Sequence, residues 1–190
     1  MNDQKLSEAL AQAGIRFRGI DETLARLPVR AAWIAVSCGP GDGRRDIVLD
    51  ASDANVVGNA NSSWFDLASE SGLFSGPNRE FLLGVDLADN DSASILRWAK
   101  VELMEDWDIM GGGADGGMLG SGAGKPEFVM MSTSGEVVLR GTTWEDAIGV
   151  LAVPMPDRVK LIRDYAGRLS SNSKSDFHER RSASEWLHRL

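Results

Sequence analysis

The chain has almost none of the residues on which most enzyme sites are built. Its two histidines, His178 and His188, both lie near the C-terminus. The body therefore offers no imidazole for a catalytic triad, a zinc site or a metal-dependent nuclease. The single cysteine, Cys38, excludes an internal disulfide and fits a reducing compartment. No apolar run approaches the length of a membrane span. The N-terminal stretch MNDQKLSEALAQAG has no basic region followed by an apolar core, so secretion is not expected. The expectation is a cytoplasmic protein without membrane association. No internal repeat is present.

What is there is an ordinary globular composition: 190 residues, 43% apolar and 25% charged. The formal net charge of −8 is unevenly spread. Residues 46–108 hold 13 acidic against 3 basic side chains, whereas residues 156–190 hold 8 basic against 5 acidic. Such a balance repels nucleic acid over most of the surface. It reads either as a solvated acidic face or as a docking surface for a basic partner.

Hydrophobic spacing predicts a helix over residues 3–13, a shorter one over 21–27 ended by Pro28, and an apolar strand over 31–37. A glycine-proline loop follows, then a short strand at 46–49. A helix is expected over 63–71 behind a Ser63 cap, and a strand over 81–87. A long helix is expected over 92–108, capped by Asp89, Asp91 or Ser92, with Leu96, Ala99, Leu103, Trp107 and Met110 on one face. Eight glycines in residues 111–124 read as a flexible connector. Residues 157–169 predict an amphipathic helix. In this reading residues 1–169 form one globular domain, with a helical leading segment over 1–28 and a glycine-rich insertion over 111–124. Residues 170–190 follow as a polar linker and a short C-terminal helix.

The strongest local pattern is Pro126 to Leu151. Phe128, Val129, Met130 and Met131 lead into Ser132-Thr133-Ser134-Gly135, and Val137, Val138 and Leu139 lead back out, which predicts a hairpin. Gly141 is expected to break the second strand. Thr142 with Glu145 and Thr143 with Asp146 each match a capping box, predicting a helix over 144–153 before Pro154 and Pro156. The expected fold class is α/β or α+β, a central mixed sheet with a C-terminal antiparallel hairpin and helices on both faces.

Several motifs fail on inspection. Gly111-x-Gly113-x-x-Gly116 matches a dinucleotide fingerprint but lacks the preceding strand and the following helix. Gly124-Lys125 lacks the first glycine and the serine or threonine of a phosphate loop. Gly39-Pro40-Gly41-Asp42-Gly43 resembles a methyltransferase loop, yet extended residues follow it. Asp86, Asp89 and Asp91 lack the glycine of a calcium loop, and Glu102, Glu105 and Asp106 read as solvated helix-surface acids. No cofactor and no metal is expected. Cys38 remains as the one thiol whose reactivity Arg44 and Arg45 could raise. Trp107, between two aspartates, reads as core packing or as a rim contact.

The order strand, helix, strand, helix, proline, hairpin, helix over residues 30–153 resembles the thioredoxin-like arrangement. There a cis-proline precedes a hairpin and a glycine follows it. Pro126, Ser134-Gly135 and Gly141 occupy matching places, and Gly84-Val85-Asp86 resembles the second core strand. Residues 46–50 are an alternative to 31–37 for the first core strand. Cys38-Gly-Pro-Gly41 lacks a second cysteine and no helix follows it, so the resemblance implies a redox-inactive member. The leading helix ending Ala13-Gly14, then Asp21-x-x-Leu24, is loosely similar to accessory chaperones that assist hydrogenase assembly.

These readings converge on a non-enzymatic protein-binding protein, a chaperone or adaptor. Its expected partner is another, basic protein, met through Glu102, Glu105, Asp106, Trp107, Asp108 and Pro126. A homodimer is compatible with the pattern. An immunity or inhibitor protein that neutralises a basic toxin or enzyme site is a second reading. A single-cysteine thiol enzyme using Cys38 is a third.

Overall fold

A seven-stranded antiparallel sheet with helices on both faces organises the computed structural model of the chain, which describes residues 1–88, 93–121 and 125–190. The strands are β1 (Ile15–Ile20), β2 (Arg45–Asp50), β3 (Glu80–Asp86), β4 (Leu96–Leu103), β5 (Phe128–Met131), β6 (Val137–Thr143) and β7 (Ala147–Pro154). Their order across the sheet is β1-β4-β3-β5-β6-β7-β2, which leaves β1 and β2 at the edges. Helices α1 (Asp3–Ala11) and α3 (Val56–Ser71) cover one face with Leu6, Leu10, Trp64 and Leu67. Helices α2 (Val29–Ala32), α5 (Lys160–Ser171) and α6 (Phe177–His188) cover the other with Val29, Ile162, Ala166 and Trp186. Alternate residues of the central strands feed the two cores, as Leu82 against Phe81 and Leu83 shows.

The hairpin stands as its residues require. Met131 and Val138 pair across the turn, and Gly135 takes the positive φ of 82° that lets the chain reverse. Gly141 does not end the second strand: β6 runs on to Thr143, because the ring of Phe128 lies where a Cβ at Gly141 would stand. The expected helix over 144–153 is strand β7. Its apolar residues, Ile148 and Val150 on one side and Leu151 and Val153 on the other, are buried on both faces of the sheet. A continuous apolar run satisfies helical and extended spacing alike, and the hydroxyl–carboxylate pairs that mimic a cap form a tight turn closed by Trp144 N–H to the Ala147 carbonyl, 2.8 Å.

Two further elements differ from expectation. The long helix over 92–108 is strand β4, where Ala99, Val101 and Leu103 face one core while Leu96 and Trp98 face the other. Its predicted caps Asp89, Asp91 and Ser92 lie outside the described residues. Residues 31–37 are helical, as α2 and a 3₁₀ segment, Trp33–Ser37, rather than a strand. The small side chains of Ala31, Ala32 and Ala35 are fully buried, and Val29 sits over Gly84 of β3, so a helix can approach the sheet closely. Arg140 of β6 pins that segment. It donates to the carbonyls of Trp33 (2.8 Å) and Phe128 (3.1 Å), lies 3.8 Å over the Trp33 ring and pairs with Glu127. Burial pulls its pKa down to about 10 despite the Glu127 charge.

Among the described residues no strand pair is parallel, so the sheet is antiparallel and not the mixed sheet expected. The elements that carried the thioredoxin-like resemblance, a strand at 31–37 and helices over 92–108 and 144–153, are replaced by others. The peptide bond at Pro126 is trans, as are all those of the described residues. Residues 21–27, expected as a helix, form a loop around the buried carboxylate of Asp21, which accepts from Thr23 and pairs with Arg26.

The glycine-rich segment is built rather than loose over its described part. Met110, Ala114 and Leu119 are buried, and a Cβ on Gly120 would stand 2.4 Å from the Lys125 carbonyl oxygen. Glycine there permits chain to lie against chain. At the other end, Asp176 caps α6 through the N–H groups of His178 and Glu179. Residues Ala183 and Trp186 place α6 in the same core as α5.

Candidate functional site

The residues expected to form one acidic face are dispersed by the real course of the chain. Glu102 lies on β4 with its side chain only 12% exposed, held by Arg16 (3.1 Å) and the Arg18 Nε (2.9 Å), so its charge is spent internally. Glu105 and Asp106 are exposed in the turn after β4. Trp107 is half-buried, stacked on Phe65 at 5.4 Å and edge-on to Trp64 at 5.2 Å, which makes it a packing residue. Asp108 is a loop clamp: it accepts from Gly112 N–H (2.7 Å), Asn61 Nδ2 (2.6 Å) and Gly111 N–H (2.9 Å). Burial raises its carboxyl, but these hydrogen bonds outweigh that and hold it below the usual range. Pro126 is buried, in a bridge with Gly120, and its carbonyl accepts from the Thr143 hydroxyl.

Cys38 is 3% exposed at the end of the 3₁₀ segment, with its thiol directed to the Ile34 carbonyl at 3.9 Å. Desolvation and the Asp42 carboxylate push the thiol up to about 11, and Arg44 only partly opposes them. Arg44 instead donates to the carbonyls of Val36 and Cys38, tying the loop to β2. A thiol so placed stays protonated at neutral pH. Among the described residues no group of three or more His, Cys, Asp or Glu side chains could hold a metal ion, and no helix is long and apolar enough to cross a membrane. Asp86, once considered for a cation, accepts the N–H groups of Ala88 and Ile95 and so closes its own loop.

The surface that remains unexplained is the β2 edge. On β2, Ile47 and Leu49 turn inward against the α3 side of the sheet. Asp46, Val48 and Asp50 are exposed, Val48 at 54%. Val48 sits opposite Gly149 of β7. Because Gly149 has no side chain, the Trp144 ring from the β6–β7 turn lies across it; a Cβ there would stand 2.3 Å from the ring. Trp144 is 42% exposed. Together they make an apolar ledge inside an open groove of about 650 Å³ framed by Asp46, Asp50, Glu145 and Asp146. Asp50 accepts from the hydroxyl and N–H of Ser52, which holds its carboxyl below the ordinary range and therefore ionised. Arg44 also lines the groove, and it is engaged by Asp46 at 3.1 Å.

A larger cleft of about 820 Å³ runs between Arg30, Tyr165, Arg168, Lys174 and Asp176. Two of its charges serve the fold: Arg30 pairs with buried Glu179 at 3.0 Å, and Asp176 both caps α6 and pairs with Arg97. Its wall at residues 93–95 adjoins the undescribed segment 89–92. The β2 groove, by contrast, combines exposed apolar area with the exposed carboxylates of Glu145 and Asp146. The alternating pattern of Asp46-Ile-Val-Leu-Asp50, with an apolar residue on the acidic side, was a legible signal of this surface. Trp144 was hidden by the cap-like residues around it.

Compared with family models, with curated proteins and with solved structures, the chain finds no match in any of the three.

Proposed function

We propose that the protein is a non-enzymatic binding protein, a chaperone or adaptor, that docks a basic protein partner on the β2 edge and the β6–β7 turn. The observation that carries this reading is the ledge of Val48 and Trp144, exposed inside a frame of four carboxylates. Aromatic anchors ringed by polar groups are the usual centre of a protein interface. The carboxylates select the sign of the partner and speed its approach. The acidic surface foreseen in the sequence thus moves from residues 102–108 to residues 46–50 and 144–146.

Quantitative affinity capture from cells that make the protein tests this. Wild type should retain one or more basic proteins at low salt and release them at about 1 M salt, where charge is screened beyond roughly 3 Å. The D46K/D50K variant should lose those proteins while staying folded, since both side chains are exposed and their bonds to Arg44 and Ser52 lie at the surface, where such contacts contribute little to stability. Equal recovery by wild type and variant would refute the assignment of the surface.

A further inference from the structure

The two edges of the sheet are not equivalent. Both carry charged side chains, Arg16 and Arg18 on β1 and Arg45, Asp46 and Asp50 on β2, but edge strand β1 is also interrupted by a bulge between Phe17 and Gly19. A bulge twists an edge away and discourages another strand from adding to it. Edge strand β2 has neither a bulge nor a proline, and it pairs with β7 in unbroken register from Arg45 to Asp50. In an antiparallel ladder, directly opposed residues alternate between those that exchange main-chain hydrogen bonds and those whose groups point away. Ala51 donates to the Asp146 carbonyl (2.8 Å) in the register of the ladder, and Trp144 donates to Ala147 on the far side of β7. Bonded positions on β2 are therefore 45, 47 and 49, and the N–H and C=O groups of Asp46 and Val48 and the N–H of Asp50 point outward from the sheet edge, while the Asp50 carbonyl accepts from Asp53 N–H (3.2 Å) in the turn that ends the strand.

These same three residues turn their side chains to the Trp144 ledge. A strand laid along this edge would find the outward main-chain groups of Asp46 and Val48 and the N–H of Asp50 and, on one face, the side-chain sequence acid, apolar, acid. We infer that the partner docks by strand addition: an extended segment of a basic protein adds to β2 as an eighth strand. Side chains facing each other across neighbouring strands set the preference. The segment should read Lys or Arg, any residue, an apolar residue, any residue, Lys or Arg. Its two cations meet Asp46 and Asp50, and its apolar residue covers Val48 beside Trp144. Charge favours such a segment over a second copy of this chain, because a second β2 edge would bring another four carboxylates to the four already in the groove. This inference rests on the binding function proposed above and specifies its geometry.

The test uses the full chain and a fluorescein-labelled peptide with Lys-Thr-Val-Thr-Lys at its centre, read by anisotropy and by amide hydrogen exchange. Saturable binding is expected, with new protection at the Val48 amide. The V48P variant should weaken binding by about tenfold, through the lost donor and the ring in its place. The ladder to β7 should be kept, because the amide removed points outward and proline is tolerated at such edge positions. D46K/D50K should also weaken it, and so should an isomer of the peptide with its lysines adjacent. If V48P does not fold, protection at Val48 in wild type decides the matter. Binding that leaves Val48 unprotected, or that V48P does not change while D46K/D50K abolishes it, overturns strand addition and leaves the acidic docking surface standing. Absence of saturable binding overturns the inference, and binding indifferent to both variants removes both readings. Protection of Val48 without peptide, with a dimer in sedimentation, makes the second copy the occupant and overturns the choice of partner.

Discussion

Alkylation of Cys38 separates the binding function from thiol chemistry, and its rate follows from the surroundings of one atom. The thiol is pushed up to about 11, by desolvation first and by the Asp42 carboxylate second. At about pH 8 it therefore holds roughly a hundredth of the thiolate of an unperturbed cysteine. A more basic thiolate is intrinsically the better nucleophile, which returns about a tenfold gain. Ionisation alone thus slows the reaction only about tenfold. Burial decides the rest: at 3% exposure the sulfur must be uncovered by local opening. An opening that costs about 3 kcal/mol slows the reaction about a hundredfold, and because the opened thiol is solvated again this factor replaces the first rather than multiplying it. The native chain should react with iodoacetamide about a hundredfold more slowly than the same chain in denaturant. Its rate should still be rising at about pH 10, where an activated thiol would have reached a plateau. By linkage, the folded chain holds this proton more tightly than the unfolded one, so stability falls as pH rises from the ordinary thiol range toward about 11. The D42N variant, which removes the second cause, should react faster than wild type. A native rate within about tenfold of the denatured one would refute the reasoning and revive Cys38 as a nucleophile.

Two predictions concern the fold itself. Asp21 is fully buried, pairs with Arg26 at 2.9 Å and Lys100 at 3.4 Å, and accepts from the Thr23 hydroxyl at 2.6 Å. Burial raises its carboxyl, but the bonds from Thr23 and Arg26 outweigh that and hold it low. Breaking a buried pair costs about 3–5 kcal/mol, but Arg26 and Lys100 are partly exposed and can be resolvated, so D21N should cost about 2 kcal/mol, or about 6 °C in Tm. Because the folded carboxyl is held low, its contribution is present above the unfolded value and is lost as pH falls through the folded one. Urea melts of wild type and D21N should therefore converge in acid; a constant difference would contradict this account. Trp186 is 8% exposed in the core shared by α5 and α6. W186A should cost about 3 kcal/mol and expose α6 to hydrogen exchange, and an unchanged melting curve would show that the C-terminal helix does not stabilise the body.

Much of the fold was legible locally. The hairpin announced itself through Ser134-Gly135, α1 through its spacing, and α5 through its amphipathic stripes, each a signal carried within a few residues. Two of the failures share one cause. Strands β4 and β7, expected as helices, are apolar on more than one side because the sheet is covered on both faces. A segment buried all round shows neither period cleanly. Leu96, Ala99 and Leu103 satisfied helical spacing by accident, while the alternation of Trp98 and Ala99 between two cores became visible only once the cores existed.

The candidate site was less legible, because the acidic residues of the chain differ in what neutralises them. Nothing near Glu102 in sequence foretells Arg16 and Arg18, which stand more than eighty residues away on a neighbouring strand. By itself the sequence determined the excess of acid over base, the single thiol, the absence of histidine from the body, and the turns and short strands that glycine and β-branched residues specify locally. Tertiary structure alone decided that 31–37 is helical, that β2 is left at an edge, and which carboxylates remain free. Long-range pairing chooses each of these. A strand becomes an edge when no other strand reaches it, and a charge becomes available when no distant partner has claimed it.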